Sequence, residues 1–205
     1  GPGGHLLHYP INADGGVVNF LAVVDREKWT EEAWKTEATI EEALAAFEGW
    51  HPAVTEMVGA VEEDPAWWAL HDYAPLESWT AGRVVLLGDA AHAMLPHQGQ
   101  GANQAIEDAV ALAHLLAEAR HGDLQRALGR YEALRKSRAR RTQRYSRFAA
   151  EGLHVPDGPV AERRNAALAT LAEDIAWIHE YDVEEDLAAS GANRAKSVNK
   201  TGSPS

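Results

Sequence analysis

The order of apolar and polar residues predicts strands and helices alternating along the chain, an α/β pattern. His5 to Ile11 and Gly16 to Val24 are apolar, β-branched and aromatic runs separated by Asn12-Ala13-Asp14-Gly15, and the Asp-Gly pair marks a hairpin. From Thr30 the period becomes helical. Thr30-Glu31-Glu32 offers a cap with an acidic first turn, and Thr39 precedes Ile40, Leu44 and Phe47 at helical spacing. Gly49-Trp50-His51-Pro52 ends that helix, and Pro52 suits the first turn of the next. Trp67 to Pro75 reads as a strand, and Arg83 to Leu87 as a short buried one bounded by Gly82 and Gly88. Three helical stretches follow. Ala102 to Ala119 carries Ile106, Val110, Ala113 and Leu116 or Ala117 on one face. Asp123 to about Ala150 shows Leu124, Leu128, Tyr131 and Leu134 as its early apolar stripe. Val160 to about Tyr181 comes after the break Pro156-Asp157-Gly158-Pro159, and residues 187–205 are small and polar enough to read as a disordered tail.

Composition narrows the function classes. The chain has 205 residues, 45% hydrophobic and 24% charged, which fits one generous folded domain or two small ones. A net charge of -12 argues against a general nucleic-acid binder or a protein of anionic membranes. No apolar run approaches the ~20 residues of a membrane span. No basic segment precedes an apolar leader, and the absence of cysteine excludes disulfides and thiolate metal sites, so a cytoplasmic home is expected. The chain opens on Gly-Pro-Gly-Gly and turns strand-like within a few residues, which reads as a chain entered mid-fold.

The chemistry concentrates in Arg83 to Ala109, RVVLLGDAAHAMLPHQGQGANQAIEDA. It reads as a strand, a tight turn holding Asp89, a proline-glycine loop and a helix. Gly99 and Gly101 allow backbone to approach a ligand closely, and the helix start near Gly101 to Asn103 presents free N–H groups with partial positive charge. Such a terminus seats an anion or an electron-rich carbonyl. Asp89, at the strand's carboxyl end, is placed to accept hydrogen bonds from ligand hydroxyls. An ordinary strand-turn-helix with structural glycines would share this spacing.

Gly88-Asp89-Ala90-Ala91-His92, then Pro96, Gly99, Gly101, Asn103 and Asp108, resembles the second FAD-binding motif of the single-component aromatic-ring flavoprotein monooxygenases, salicylate hydroxylase-like members in particular. GPGGHLLHYPI, VNFLAVV, FEGWHPAV and WALHDYAPLESWTAGRV are similar to the stretch preceding this motif in that family, so the resemblance covers most of the chain. It implies a partial FAD/NAD(P)-binding flavoprotein monooxygenase fold: residues 1–80 form part of a substrate-binding domain, 81–120 the closing segment of the FAD-binding domain, and 121–186 a carboxyl-terminal helical region. The activity implied is hydroxylation of an aromatic acid or phenol with FAD, NAD(P)H and O2. Gly88, Asp89, Pro96, Gly99, Gly101, Ala102 and Asn103 would contact FAD, Asp89 through a ribityl hydroxyl and the amides near Gly101 by the flavin N1 and C2 carbonyl. His97 would sit beside the flavin in a catalytic position, and His8 or Tyr9 would meet the substrate. Asp108 and His92 are expected to be structural.

The amino-terminal dinucleotide unit of that family is missing, since no G-x-G-x-x-G follows a strand and the NAD(P)H-linked Asp-Gly motif is absent. The isolated chain is therefore expected to be inactive, and a non-catalytic remnant or binding module is the second reading. Other patterns weigh less. The histidines have no acidic partner at a ligand spacing, so no metal is expected. No serine lies in a G-x-S-x-G elbow. Arg135 to Arg147, RKSRARRTQRYSR, holds seven basic residues and no acidic one; a nucleic-acid helix is one reading, and a solvated helix face, or one pairing with acidic surface elsewhere, is favoured. The oligomeric state is left open.

Overall fold

The hairpin at the amino end forms as its pattern predicts. β1 (Gly4–Pro10) pairs antiparallel with β2 (Val18–Val24), placing Leu7 opposite Leu21 and His8 opposite Phe20. Gly15, at φ 72°, takes the left-handed turn, and Ile11 N–H to Val17 O (3.0 Å) closes it. The computed structural model describes residues 1–26, 34–119 and 123–190. These fall into two compact units, Gly1–Leu70 with Glu151–Ala166, and His71–Ala150 with the residues from Ala167.

The first unit adds β3 (Lys35–Glu37) paired antiparallel with β4 (Ala66–Trp68), and the helices α1 (Ile40–Ala46) and α2 (Pro52–Gly59). Thr39 and Glu42 form the capping box of α1, and Pro52 opens α2. Phe47 is buried beside Trp50, ring centroids 5.0 Å apart and nearly perpendicular. Most of the helix expected from Thr30 lies outside the described residues, and the chain re-enters as β3. The strand expected over Trp67 to Pro75 stops at Trp68, where its three-residue partner ends. Further on, the carbonyls of Tyr73 and Leu76 are taken by side chains instead of a ladder.

In the second unit β5 (Thr80–Ala81) pairs antiparallel with β6 (Val84–Val85), followed by α3 (Asp89–His92), a 3-10 turn at Pro96–Gln98, α4 (Gly101–Glu118) and α5 (Leu124–Leu153). The buried strand expected over Arg83 to Leu87 is thus two residues long, and Val84 is 63% exposed, because two-residue β5 is its whole ladder among the described residues. The face of α4 is also corrected. Gln104, Asp108, Ala111 and Leu115 point inward, while Ile106 is 63% exposed. The polar stripe wins because α5 carries its partners, described below. The core gathers Trp79, Ala91, Leu115, Tyr131, Ala139 and Leu187. Leu187 was expected in the tail, yet it is 3% exposed within helical residues 183–190; positions 191–205 of that expected tail lie outside the described residues. The helix expected from Val160 to Tyr181 ends at Ala167 and continues as short turns. There Thr170 bonds Ala167 O (3.2 Å) and Asp174 (3.1 Å), a local alternative to the helix ladder.

Candidate functional site

The chain leaving β6 and the start of α4 meet at one glycine. Gly88 is buried with φ 57°, and a Cβ there would lie 3.3 Å from the Ala105 Cβ, so a side chain would force strand end and helix apart. Asp89 follows as the first residue of α3. Its carbonyl accepts from the Tyr73 hydroxyl (2.6 Å), which pins the turn, while its carboxylate is exposed and forms no hydrogen bond or ion pair among the described residues. That carboxylate lies against the start of α4: a Cβ on Gly101 would be 3.9 Å from Asp89 Oδ1.

The loop between them is shaped by Pro96 and Gly99. Pro96 opens the 3-10 turn that holds half-buried His97, and Gly99, at φ 61°, ends it with its N–H on Pro96 O (2.8 Å). No atom lies within 4 Å of a Cβ built on Gly99, so this side of the loop is open. The first bond of α4 is Gln104 N–H to Gln100 O (2.9 Å), which leaves the N–H groups of Gly101, Ala102 and Asn103 ahead of the ladder. No side chain caps this terminus, and no acidic residue lies in its first turn. The result is an uncapped, electropositive helix end beside an exposed carboxylate.

Beneath this surface sits a buried ionic cluster. Asp108 Oδ2 accepts from Gly88 N–H (3.0 Å) and contacts His92 Nε2 (2.6 Å), and Oδ1 accepts from Arg135 Nε (2.9 Å). Arg135 also pairs with Glu107 (2.6 Å) and donates to Gln104 Oε1 (3.0 Å). Arg138 grips both oxygens of Glu107 (2.7 and 2.8 Å), donates to Trp177 O and Ile178 O, and lies 3.7 Å from the Tyr181 ring centroid. Burial pushes the Asp108 carboxyl up, but hydrogen bonds from His92, Gly88 and Arg135 outweigh it and hold the group below its ordinary value. Burial opposes the charge of Arg135 in the same way, and Asp108 with Glu107 keeps it firmly protonated.

The residues singled out by sequence separate into two places. Gly88, Asp89, Pro96, His97, Gly99, Gly101, Ala102 and Asn103 share the strand-turn-helix of the second unit. His8 and Tyr9 lie on β1 of the first unit, exposed and on opposite faces of the strand, Tyr9 opposite Asn19. Among the described residues no group of three or more His, Asp or Glu is arranged to hold a metal ion. Sequence reasoning missed Arg135, grouping it with a basic run of solvated or paired residues. The signal was present: Leu128, Tyr131, Arg135, Arg138 and Thr142 continue one stripe at helical spacing, and all are buried.

Comparison with known proteins adds the family. Over 184 residues the chain is 45% identical to a 3-amino-4-hydroxybenzoate 2-monooxygenase of Streptomyces platensis, covering 89% of this chain and 46% of that protein. Salicylate hydroxylase of Pseudomonas putida is 41% identical over 197 residues, covering 92% of this chain and 45% of that protein. A solved salicylate hydroxylase substrate complex is similar with a TM-score of 0.77 and 36% identity, covering 90% of this chain and 46% of the other. The chain spans about half the length of the curated relatives it matches. Residues 12–146, which include the strand, the Gly-Asp turn and the uncapped helix, match the FAD binding domain family, and the chain belongs to that family, in the α/β fold of the FAD-binding monooxygenases.

Proposed function

We propose that the protein carrying this chain is an FAD-dependent monooxygenase that hydroxylates an aromatic acid or phenol with NAD(P)H and O2. The observation that carries this reading is the exposed Asp89 carboxylate beside the uncapped start of α4, within a match to an FAD binding domain. The donor set fits the cofactor. A carboxylate accepts from ribityl hydroxyls, and the N–H groups of Gly101, Ala102 and Asn103 suit the electron-rich N1 and C2 carbonyl of the flavin. Gly99 leaves open space where a ring would lie. When bound, FAD supplies electron transfer from NAD(P)H and the activation of O2. The chain's own part is to bind and orient. In this reading Gly88 sets the approach of strand and helix, Asp89 holds the ribityl chain, and the α4 dipole favours negative charge on the flavin.

Pro96 shapes the loop that would face the ring and carries His97 towards the substrate side. His97→Ala is expected to leave FAD bound while weakening substrate binding or the coupling of NAD(P)H oxidation to hydroxylation. Of His8 and Tyr9, alternation lets only one meet the substrate. Residues 1–80 would then contribute to substrate binding, 81–120 close the FAD domain, and 121–186 form a carboxyl-terminal helical region. A cytoplasmic location belongs to the same reading. No described helix is long and apolar enough to cross a membrane. The basic run gives no support to a nucleic-acid partner, because Arg135, Lys136, Arg138, Arg140 and Arg147 all bond within the second unit.

The alternative reading is a non-catalytic remnant or binding module. The complete protein carrying these residues, purified and mixed with FAD, separates the two. Flavin absorbance retained through gel filtration, with NAD(P)H oxidation stimulated by a panel of phenols and benzoates, supports the enzyme. A well-folded protein that takes up no flavin overturns it.

A further inference from the structure

Asp108 lies two turns inside α4 and is fully buried, yet it meets the turn that opens α3, α3 itself and α5. Its carboxylate takes the N–H of Gly88 at the cap of α3, the ring of His92 on α3 and the guanidinium of Arg135 on α5. Arg135 in turn reaches back to the first turn of α4 through Gln104, both its side chain (3.0 Å) and its carbonyl (3.4 Å). The Gly88–Asp108 bond therefore ties the residue just before Asp89 to the helix whose start faces Asp89, and Arg135 braces that helix along two turns. An apolar cluster of similar volume would serve stability as well or better, because burying ionised groups carries a large desolvation cost. What apolar packing lacks is direction.

We infer that the Asp108–Arg135 pair is a positioning device that fixes the Asp89 carboxylate relative to the amino end of α4, and so sets how strongly the site favours reduced over oxidised FAD; the inference rests on the flavin reading above. The physical link is the helix dipole. It acts within the first turn, so a small retreat of α4 weakens its hold on the more negative reduced flavin more than on the oxidised one.

The test uses the complete protein carrying these residues and two conservative variants. Arg135→Lys keeps the charge but cannot span Asp108, Glu107 and Gln104 together. Asp108→Asn keeps the shape but loses an acceptor for Gly88 N–H and His92. Dissociation constants for oxidised and reduced FAD are measured with the two-electron midpoint potential and the melting temperature. The expected result is a loss of affinity for reduced FAD about threefold greater than for oxidised FAD, which lowers the midpoint by about 15 mV. Equal losses in both redox states, with the midpoint unchanged, overturn the inference and leave the pair a stability element. Should Arg135→Lys fail to fold, Asp108→Asn decides; failure of both to fold also overturns it. A wild-type protein that binds no FAD is a different result, and it removes the flavin reading itself.

Discussion

The hairpin of the first unit and the strand-turn-helix of the second use their side chains in opposite ways. On β1–β2 the face holding Leu7, Tyr9 and Leu21 is exposed, because a two-stranded ribbon covers little of its own surface. Around the Gly-Asp turn the arrangement is inverted: Gln104, Asp108, His92 and Arg135 are buried while Ile106 faces out. Apolar groups tolerate many packings, whereas buried charges need partners at fixed distances and angles. In this chain it is the burial of ions that marks where backbone placement is tightly specified.

Substitutions at four positions break or sharpen that contrast. The largest effect is expected for Arg135→Met, which leaves Asp108 and Glu107 without their buried partner and should cost about 3–5 kcal/mol in urea unfolding. Asp89→Ala should leave unfolding within about 0.5 kcal/mol, since its carboxylate is exposed. In the complete protein it should weaken FAD binding about ten- to a hundred-fold in a direct titration, the loss of a charge-assisted bond worth roughly 1.5–3 kcal/mol. Glu132 is smaller. Burial raises its carboxyl, but Lys136 (2.7 Å), Thr80 (2.8 Å) and the Trp79 N–H outweigh that and bring it down from 4.5 to about 2. A lowered carboxyl stabilises the fold fully above its unfolded value and loses that contribution as the pH falls from 4.5 towards 2. Glu132→Gln should therefore cost about 1 kcal/mol at neutral pH, and the gap from wild type should close in acid unfolding curves. Last, Leu7→Thr on the hairpin should stay within about 0.5 kcal/mol. A loss as large as that of Arg135→Met would abolish the contrast.

How much was legible follows from the range of each interaction. The hairpin, the helix start after Thr39 and Pro52 at the start of α2 were readable because their determinants lie within a few residues. The Gly-Asp turn, the loop at Gly99 and the helix start at Gly101 were readable for the same reason. The inward face of α4 was not. Hydropathy selected Ile106, Val110 and Leu116, whereas the buried stripe runs through Gln104 and Asp108, whose burial depends on Arg135, 27 residues downstream. Arg135 was hidden in turn by its charged neighbours, although its spacing from Leu128 and Tyr131 placed it on the inner stripe. The sequence around Leu187 reads as tail because nothing local distinguishes a small polar helix that docks from one that does not.

α5 also behaves as a rail of donors. From one helix Arg147 and Gln143 reach Tyr73 O, Arg140 reaches Leu76 O, and Lys136 reaches Glu77 O. Gln143 and Ser146 reach Ala93 O and Leu95 O, and Arg138 reaches Trp177 O and Ile178 O. Segments distant in sequence thus satisfy their carbonyls on the same support. Hydrogen exchange should then show the loops at 73–77 and 93–95 and the helical turn at 177–178 opening together with α5 as one cooperative unit, not as independent surface segments.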